Sequence, residues 1–390
     1  MKHLSHYFPE YGTGCVAKVA HIREENIQID TLVEGYAEIK PERILMREDH
    51  LFDIASLTKT FTAILIYQAV EKGLCQLDDT VFSLNSRFVN LKEVNLLDLL
   101  AHRTEIWTDG YLGDAKSKDD FYHILFTAYV KNKNPKYVDV HYMILATILE
   151  SLYHLTYREI VTNYIIEPLQ LEHTVFEIHD EQLVSCNYQI VDGKEVQNIQ
   201  NVLHDTKARI AASYGFTTGH AGIFTTASDL LKILISFMDG KGILLQPETI
   251  AKMLEHDDYG NYLNEQINAY ALTYSIPMIR TCDAKLNLEH LLNHLEDPNL
   301  FLNNIIKPYN YAGMRYQNPY SEITTIPFST GEHTVIFSGY TGPLYLMDFD
   351  HKIIILVMNN VCHMSQKDRQ SRSLAGIHMI EELYLEQISA

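Results

Sequence analysis

The sequence predicts an α+β fold, an α/β sandwich. One antiparallel β-sheet is built from both chain ends and flanked by helices, and a mostly helical domain is inserted between the two halves. Three observations predict this. β-Patterned segments lie near both termini, helical spacing fills most of the interior, and the strand-then-helix alternation of a parallel doubly wound sheet is absent. On this reading residues 1–57 and 325–390 form the sheet domain and residues 58–324 the insert.

Residues 15–22 (CVAKVAHI) alternate small or apolar residues with others. The polar run 23–26 follows, and residues 27–33 (IQIDTLV) alternate again, which is the pattern of a hairpin. Helical spacing then covers 58–72, 91–101, 119–129, 140–152, 157–166, 227–238 and 247–254. Residues 334–349 and 352–358 return to β patterning, with a turn at 348–351, and 366–388 close the chain as a helix. The stretch 261–308, rich in Asn, Leu and Tyr, reads as a lid over a site or as extra helical packing.

Composition excludes several classes. Of the 390 residues, 46% are hydrophobic and 21% charged, as in an ordinary globular protein. The formal charge of −19, with no Lys/Arg-rich run to offset it locally, opposes binding to a phosphate backbone, so no nucleic-acid partner is expected. No apolar run approaches the ~18 residues of a membrane span. Residues 1–11 (MKHLSHYFPEY) contain no apolar signal segment, so a chain that starts at Met1 is expected in the cytoplasm. Five widely spaced cysteines (Cys15, Cys75, Cys186, Cys282, Cys362) form no CxxC pair and read as free thiols.

Chemistry concentrates at residues 51–63 (LFDIASLTKTFTA). Ser56 and Lys59 lie three apart at the start of a predicted amphipathic helix, so both side chains leave one face within contact distance. A serine hydroxyl becomes a nucleophile when a neighbour accepts its proton. A lysine does so when burial or a nearby cation lowers its pKa from about 10.4. The helix N-terminus also favours negative charge on the nucleophile. A lone Ser-x-x-Lys arises roughly once by chance in a chain this long, and its plain reading is a capping serine beside a solvated lysine. Here it is the chain's only match.

This segment resembles the nucleophile segment of the serine β-lactamase and penicillin-binding-protein family, in its class C-like, esterase-type branch. Other segments follow in the family's order. Gly35-Tyr36-Ala37 resembles the end of its second strand, and Leu99-Leu100-Ala101-His102 its LLxH stretch, followed here by Arg103-Thr104-Glu105. Tyr137-Val138-Asp139 resembles the Tyr-x-Asn motif in a Tyr-x-Asp form. Glu167-Pro168-Leu169, His204-Asp205 and residues 219–224 (GHAGIF), with Thr225-Thr226-Ala227, resemble a subgroup of serine hydrolases and esterases. The similarity spans nearly the whole chain except 261–308.

The resemblance implies that Tyr137 points its hydroxyl at Ser56 and passes the proton to the leaving group. A phenol beside an ammonium is pulled towards its ionised form and then acts as a base. Asp139 in place of an amide adds a charge that keeps Lys59 cationic, which leaves open which group is the base. The third motif, usually Lys or His, then Thr or Ser, then Gly, reads Phe337-Ser338-Gly339 here, followed by Tyr340-Thr341-Gly342. Ser338 still donates a hydrogen bond, and the backbone N–H groups of Ser56 and Tyr340 form an oxyanion hole. The basic group that holds a substrate carboxylate is replaced by Phe337; His333 and His220 are the candidates to compensate.

The remaining constellations are weaker. His290 and His294 have i, i+4 spacing without a third ligand, the pattern of a solvated helix face. The glycines at 215, 219 and 222 lack a following P-loop lysine and read as a turn that shapes the pocket.

The expectation is a serine hydrolase that forms an acyl-enzyme on Ser56 and hydrolyses a small ester or amide, with its site between sheet and insert, and hydrolyses β-lactams poorly. Lys59 and Tyr137 manage protons, Asp139, Ser338 and Gly339 support them, and Phe337, His220 and Trp107 are candidate pocket residues. No metal or organic cofactor is implied, and the sequence does not specify an oligomeric state. Two other readings stand beside it: a non-catalytic relative that binds a ligand or partner in the same cleft, and a D-Ala-type cell-wall peptidase or esterase, which requires export.

Overall fold

A strand that is apolar at nearly every position must be covered on both faces, and Ile353–Asn359 (IIILVMN) is buried throughout. In the computed structural model it lies inside a seven-stranded sheet. The structure describes residues 1–8, 10–23, 26–39, 42–178, 184, 189–191, 194–196, 203–257, 259–278, 284–296, 309–316, 326, 330–363 and 369–389. In chain order the strands are β1 (Gly14–Arg23), β2 (Asn26–Glu38), β3 (Ile44–Leu45), β4 (Arg315–Tyr316), β5 (Thr334–Ser338), β6 (Leu344–Asp348) and β7 (Ile353–Asn359). Their spatial order is β4-β5-β6-β7-β1-β2-β3, and every pairing is antiparallel. The chain ends meet where β1 pairs with β7, from Cys15↔Asn359 to His21↔Ile353. Both ends therefore share one antiparallel sheet, as the sequence predicts.

Period-two alternation divides this sheet between two cores. Val16, Ala20, Val335, Phe337, Tyr345, Ile354, Leu356 and Met358 face the inserted helices. Cys15, Ala17, Val19, Ile336, Leu346, Ile355 and Val357 face the terminal helix (Arg369–Ile388), through its Met379, Ile380, Leu383 and Tyr384. Residues 26–33 of β2 are only partly covered, which leaves Ile29 45% and Val33 37% exposed despite their alternating pattern.

Two helices position the site, α1 (Thr58–Glu71) and α2 (Val140–Tyr153). The amphipathic expectation for α1 needs correction, because every residue from Thr58 to Ala69 is buried. Several of its polar groups are bonded internally: Thr60 Oγ1 with Tyr345 OH at 2.9 Å, Thr62 Oγ1 with Tyr157 OH at 2.6 Å, and Gln68 Nε2 with the Leu244 carbonyl at 2.9 Å. A helix covered on all sides is the centre of the fold rather than its surface.

Other boundaries shift for local reasons. The helix expected at 91–101 is confined to Leu96–Leu100, where Asn95 and Asp98 form a reciprocal capping box. The β-rich run 334–349 is two strands, β5 and β6, separated by a turn. Edge strand β4 and the pair Glu105–Trp107 with Tyr129–Asn132 place β-structure inside the range expected for the insert. Helices Tyr259–Thr273 and Ala284–Leu292 pack on each other through Leu263, Ile267, Leu288 and Leu291. Residues 24–25 of the first turn, 279–283 and 297–308 of the central stretch, 366–368 of the last helix, Cys186 and Cys282 lie outside the described residues. Cys15 and Cys75 are buried free thiols, and Cys362 is buried with its Sγ 3.5 Å from the Tyr340 carbonyl. Among the described residues no helix is long and apolar enough to cross a membrane.

Candidate active site

Ser56 sits in a single 3₁₀ turn, Ala55–Leu57, immediately before α1. The turn is held from three sides. The Ile54 N–H donates to the Ile223 carbonyl at 3.2 Å, and Phe52–Asp53 pairs with Phe224–Thr225. Buried Asp53 accepts the Ala55 N–H on Oδ1 and the His204 N–H on Oδ2, each at 2.8 Å. Ala55 has φ +44°, a conformation costly for a residue with a Cβ, so the Asp53 bond anchors a strained backbone directly before the nucleophile. Burial, only partly offset by these two N–H bonds, pushes the Asp53 carboxyl up to about 6.

The turn after β5 clasps the same segment. Thr341 Oγ1 donates to the Asp53 carbonyl at 2.6 Å. A Cβ on Gly339 would lie 2.5 Å from the Ile54 carbonyl oxygen, so only glycine permits this approach. The backbone of 339–342 is thereby brought against the backbone of 53–55.

Lys59 Nζ donates to Ser56 Oγ at 3.0 Å, to Asp139 Oδ1 at 2.9 Å and to the His220 carbonyl at 3.3 Å. Its side chain is 1% exposed. Burial alone lowers a lysine pKa, but the Asp139 carboxylate and the Tyr137 phenol outweigh it and hold Lys59 above the ordinary value. Lys59 is thus an ammonium here. The Asp139 carboxyl, which burial would raise, is held well below its usual range by Lys59, His220 and Lys207. The residue on its other oxygen is Lys207, with Nζ 3.2 Å from Asp139 Oδ2 and 3.0 Å from Asp205 Oδ2. Asp205 Oδ1 pairs with His220 Nε2 at 3.0 Å. The loop around Gly219 delivers His220: Thr62 Oγ1 donates to the Gly219 carbonyl at 2.7 Å, and Gly219, at φ +73°, leaves room for Ala146 and Tyr142.

The Tyr137 ring centroid lies 4.8 Å from Lys59 Nζ. His102 packs on the same ring at 4.5 Å and shares a 2.8 Å Nδ1–Nδ1 hydrogen bond with His141. Burial drives both imidazoles far below the usual histidine range, so they back the site as neutral groups.

The structure therefore brings Ser56, Lys59, Tyr137, Asp139, His220 and Gly339 to one place. Ser338 ends β5 and accepts from Arg315 Nη2 at 3.5 Å. Arg315, on β4, supplies a cation to the third motif from a neighbouring strand rather than from position 337. Phe337 is 4% exposed and packs edge-on to Tyr345, as a core residue. Tyr340 is 42% exposed, with its ring 5.0 Å from His204. Trp107 is paired with Glu105 and Lys131 rather than with the Ser56 group. His333 is bound to Asp350, and His290 to the Pro277 carbonyl.

Sequence reasoning missed Asp53, Lys207 and Arg315. Lys207 had a faint signal: a lysine in the first turn of a helix (Thr206–Ser213) sits at the unfavourable end of the dipole, two residues after the N-cap Asp205. Asp139, Asp205 and His220 each present a potential metal-ligand atom, all within 4.8 Å of one another. The Lys207 ammonium already bridges the two carboxylates and meets the charge a cation would balance.

An antiparallel sheet joined from both chain ends, covered by a terminal helix and faced by a buried central helix, is the fold of the β-lactamase-like serine hydrolases. The chain belongs to the Beta-lactamase family, whose model matches residues 10–375. It is 22% identical over 214 residues to a β-lactamase of Yersinia enterocolitica, covering 54% of this chain and about half (52%) of that relative's length. It is 23% identical over 290 residues to the teichoic acid D-alanine hydrolase of Staphylococcus aureus (strain MRSA252), covering 68% and 70%. Among solved structures it resembles EstCE1, a hydrolase with promiscuous acyltransferase activity, with a TM-score of 0.64, 15% identity, and 96% and 95% of the two chains covered.

Proposed function

We propose that this protein hydrolyses a small ester or amide through an acyl-enzyme on Ser56. The observation that carries the reading is the 3.0 Å contact between Ser56 Oγ and the Nζ of a 1%-exposed lysine. Because Lys59 is an ammonium and donates to Oγ, it stabilises negative charge there instead of receiving the serine proton. Tyr137, reacting as the phenolate against the same ammonium, takes that proton to become the phenol as Oγ attacks the carbonyl carbon, then gives it to the departing alcohol or amine and is the phenolate again. The carbonyl oxygen becomes an oxyanion held by the Ser56 and Tyr340 N–H groups. Water then attacks the acyl-serine with Tyr137 again as base, releasing the acid and restoring Ser56.

A relative named as a teichoic acid D-alanine hydrolase, and EstCE1, support a small acyl group as the transferred part. The absence of Lys or His at position 337 supports weak activity on β-lactams, and Arg315 beside Ser338 makes penicillin the discriminating comparison. The test is intact-mass spectrometry after a fluorophosphonate, with p-nitrophenyl acetate and benzylpenicillin turnover alongside. One adduct per chain, absent in Ser56→Ala, with ester hydrolysis faster than penicillin hydrolysis is the expected result. Undiminished ester turnover in purified Ser56→Ala overturns it.

A further inference from the structure

We propose that Lys207 is a positioning residue of this site, the second cation of a closed ring of charge that sets the pH at which Ser56 becomes reactive. The inference rests on the acyl-serine reading above. The ring runs from Lys59 Nζ to Asp139 Oδ1 (2.9 Å), from Asp139 Oδ2 to Lys207 Nζ (3.2 Å), and from Lys207 to Asp205 Oδ2 (3.0 Å). Asp205 Oδ1 continues to His220 Nε2 (3.0 Å), and the His220 carbonyl returns to Lys59 Nζ (3.3 Å). Positive and negative groups alternate, so the two lysines and two aspartates cancel.

The parts come from separate segments: α1, the residues before α2, the helix Thr206–Ser213 and the loop at 219–222. Each carboxylate uses both oxygens. Asp205 Oδ1 also accepts the Ala208 N–H at 2.8 Å, so the helix cap and the charge ring share one side chain. Lys207 is 18% exposed, which screens it less than a surface lysine. Among the described residues, the other ionisable groups facing the ring include Tyr137 and Tyr142 against Lys59, Asp53 near Asp205, the neutral pair His102 and His141, and Arg315 near Tyr137 and Ser338.

The consequence has a definite sign. Asp139 places a negative charge beside the point where the Ser56 proton is received and so favours holding that proton there, and Lys207 shares that carboxylate and opposes the effect. Removing the Lys207 charge therefore moves the acidic limb of the pH–rate profile upward, by on the order of one pH unit for a neighbouring charge in a partly buried site. Removing the Asp205 charge leaves Lys207 less neutralised and moves the limb downward. Asn remains a good helix N-cap, so Asp205→Asn retains the helix start.

The experiment measures kcat/KM for p-nitrophenyl acetate across the pH range in the full chain, for wild type, Lys207→Met, Lys207→Arg and Asp205→Asn. Expected are a roughly tenfold loss for Lys207→Met below the limb that vanishes on the alkaline plateau, a return towards wild type in Lys207→Arg, and an opposite shift in Asp205→Asn. A loss equal at every pH, with Lys207→Arg equally impaired, marks a purely structural lysine and overturns the proposal. Should Lys207→Met fail to fold, an unshifted or upward limb in Asp205→Asn overturns it alone. A wild type without Ser56-dependent turnover refutes the acyl-serine reading and this one with it. Normal turnover without opposed shifts refutes only the role of Lys207.

Discussion

Replacing Asp139 by asparagine tests the electrostatic core of the site. The carboxylate receives Lys59 at 2.9 Å on one oxygen and Lys207 at 3.2 Å on the other. Asparagine keeps one acceptor, turns an NH₂ towards one of the two ammoniums and removes the charge from both, so Lys59, 1% exposed, keeps neutral partners only, among them the Ser56 hydroxyl and the His220 carbonyl. Breaking a buried ion pair from one side costs roughly 3–5 kcal/mol. Asp139 is 27% exposed and Lys207 retains Asp205, so about 3 kcal/mol, the low end of that range, is expected. The pH dependence follows from the two shifts. The depressed Asp139 carboxyl contributes stability above its unfolded pKa of about 3.9, lost as pH falls through its native value. The raised Lys59 contributes below about 10.4, lost as pH rises through its native value. Between about pH 5 and 9 the difference between wild type and Asp139→Asn is therefore flat. Urea unfolding at about pH 5, 7 and 9, followed by circular dichroism, measures it. Equal midpoints at neutral pH, or a gap that changes steeply within that window, would refute the buried-pair argument.

Ser56→Ala and Lys59→Ala are each expected to abolish most ester turnover, and the double variant to be scarcely worse than either, because the two act as a unit; additive losses in kcat/KM would separate them. Gly339→Ala sets a Cβ 2.5 Å from the Ile54 carbonyl and should displace the nucleophile turn, lowering kcat by roughly tenfold to a hundredfold with a smaller effect on KM, a split steady-state kinetics will show or deny. Phe337→His buries an imidazole in the core beside Tyr345 and should cost about 1–3 kcal/mol in thermal unfolding; an unchanged melting temperature would place that ring outside the core.

Sequence alone determined the antiparallel sheet made from both ends, because period-two alternation in 15–33 and the apolar run of β7 follow from local geometry. It also determined the pairing of Ser56 with Lys59, since i, i+3 neighbours at a helix start necessarily share a face. Burial of α1 on every side was not legible, because a helix with buried threonines reads as amphipathic until Tyr345 and Tyr157 arrive to bond them. Nor was the direction of the Phe337 ring, which depends on what packs against that face of the sheet. Above all, tertiary structure decided the charge on Lys59. Its partners lie 80 residues away at Asp139 and 161 at His220, and Lys207 and Arg315 enter from further elements. Periodicity reports which face of a segment is apolar, whereas a buried charge is set by the groups that distant segments bring within hydrogen-bond reach, and only the folded chain determines those distances.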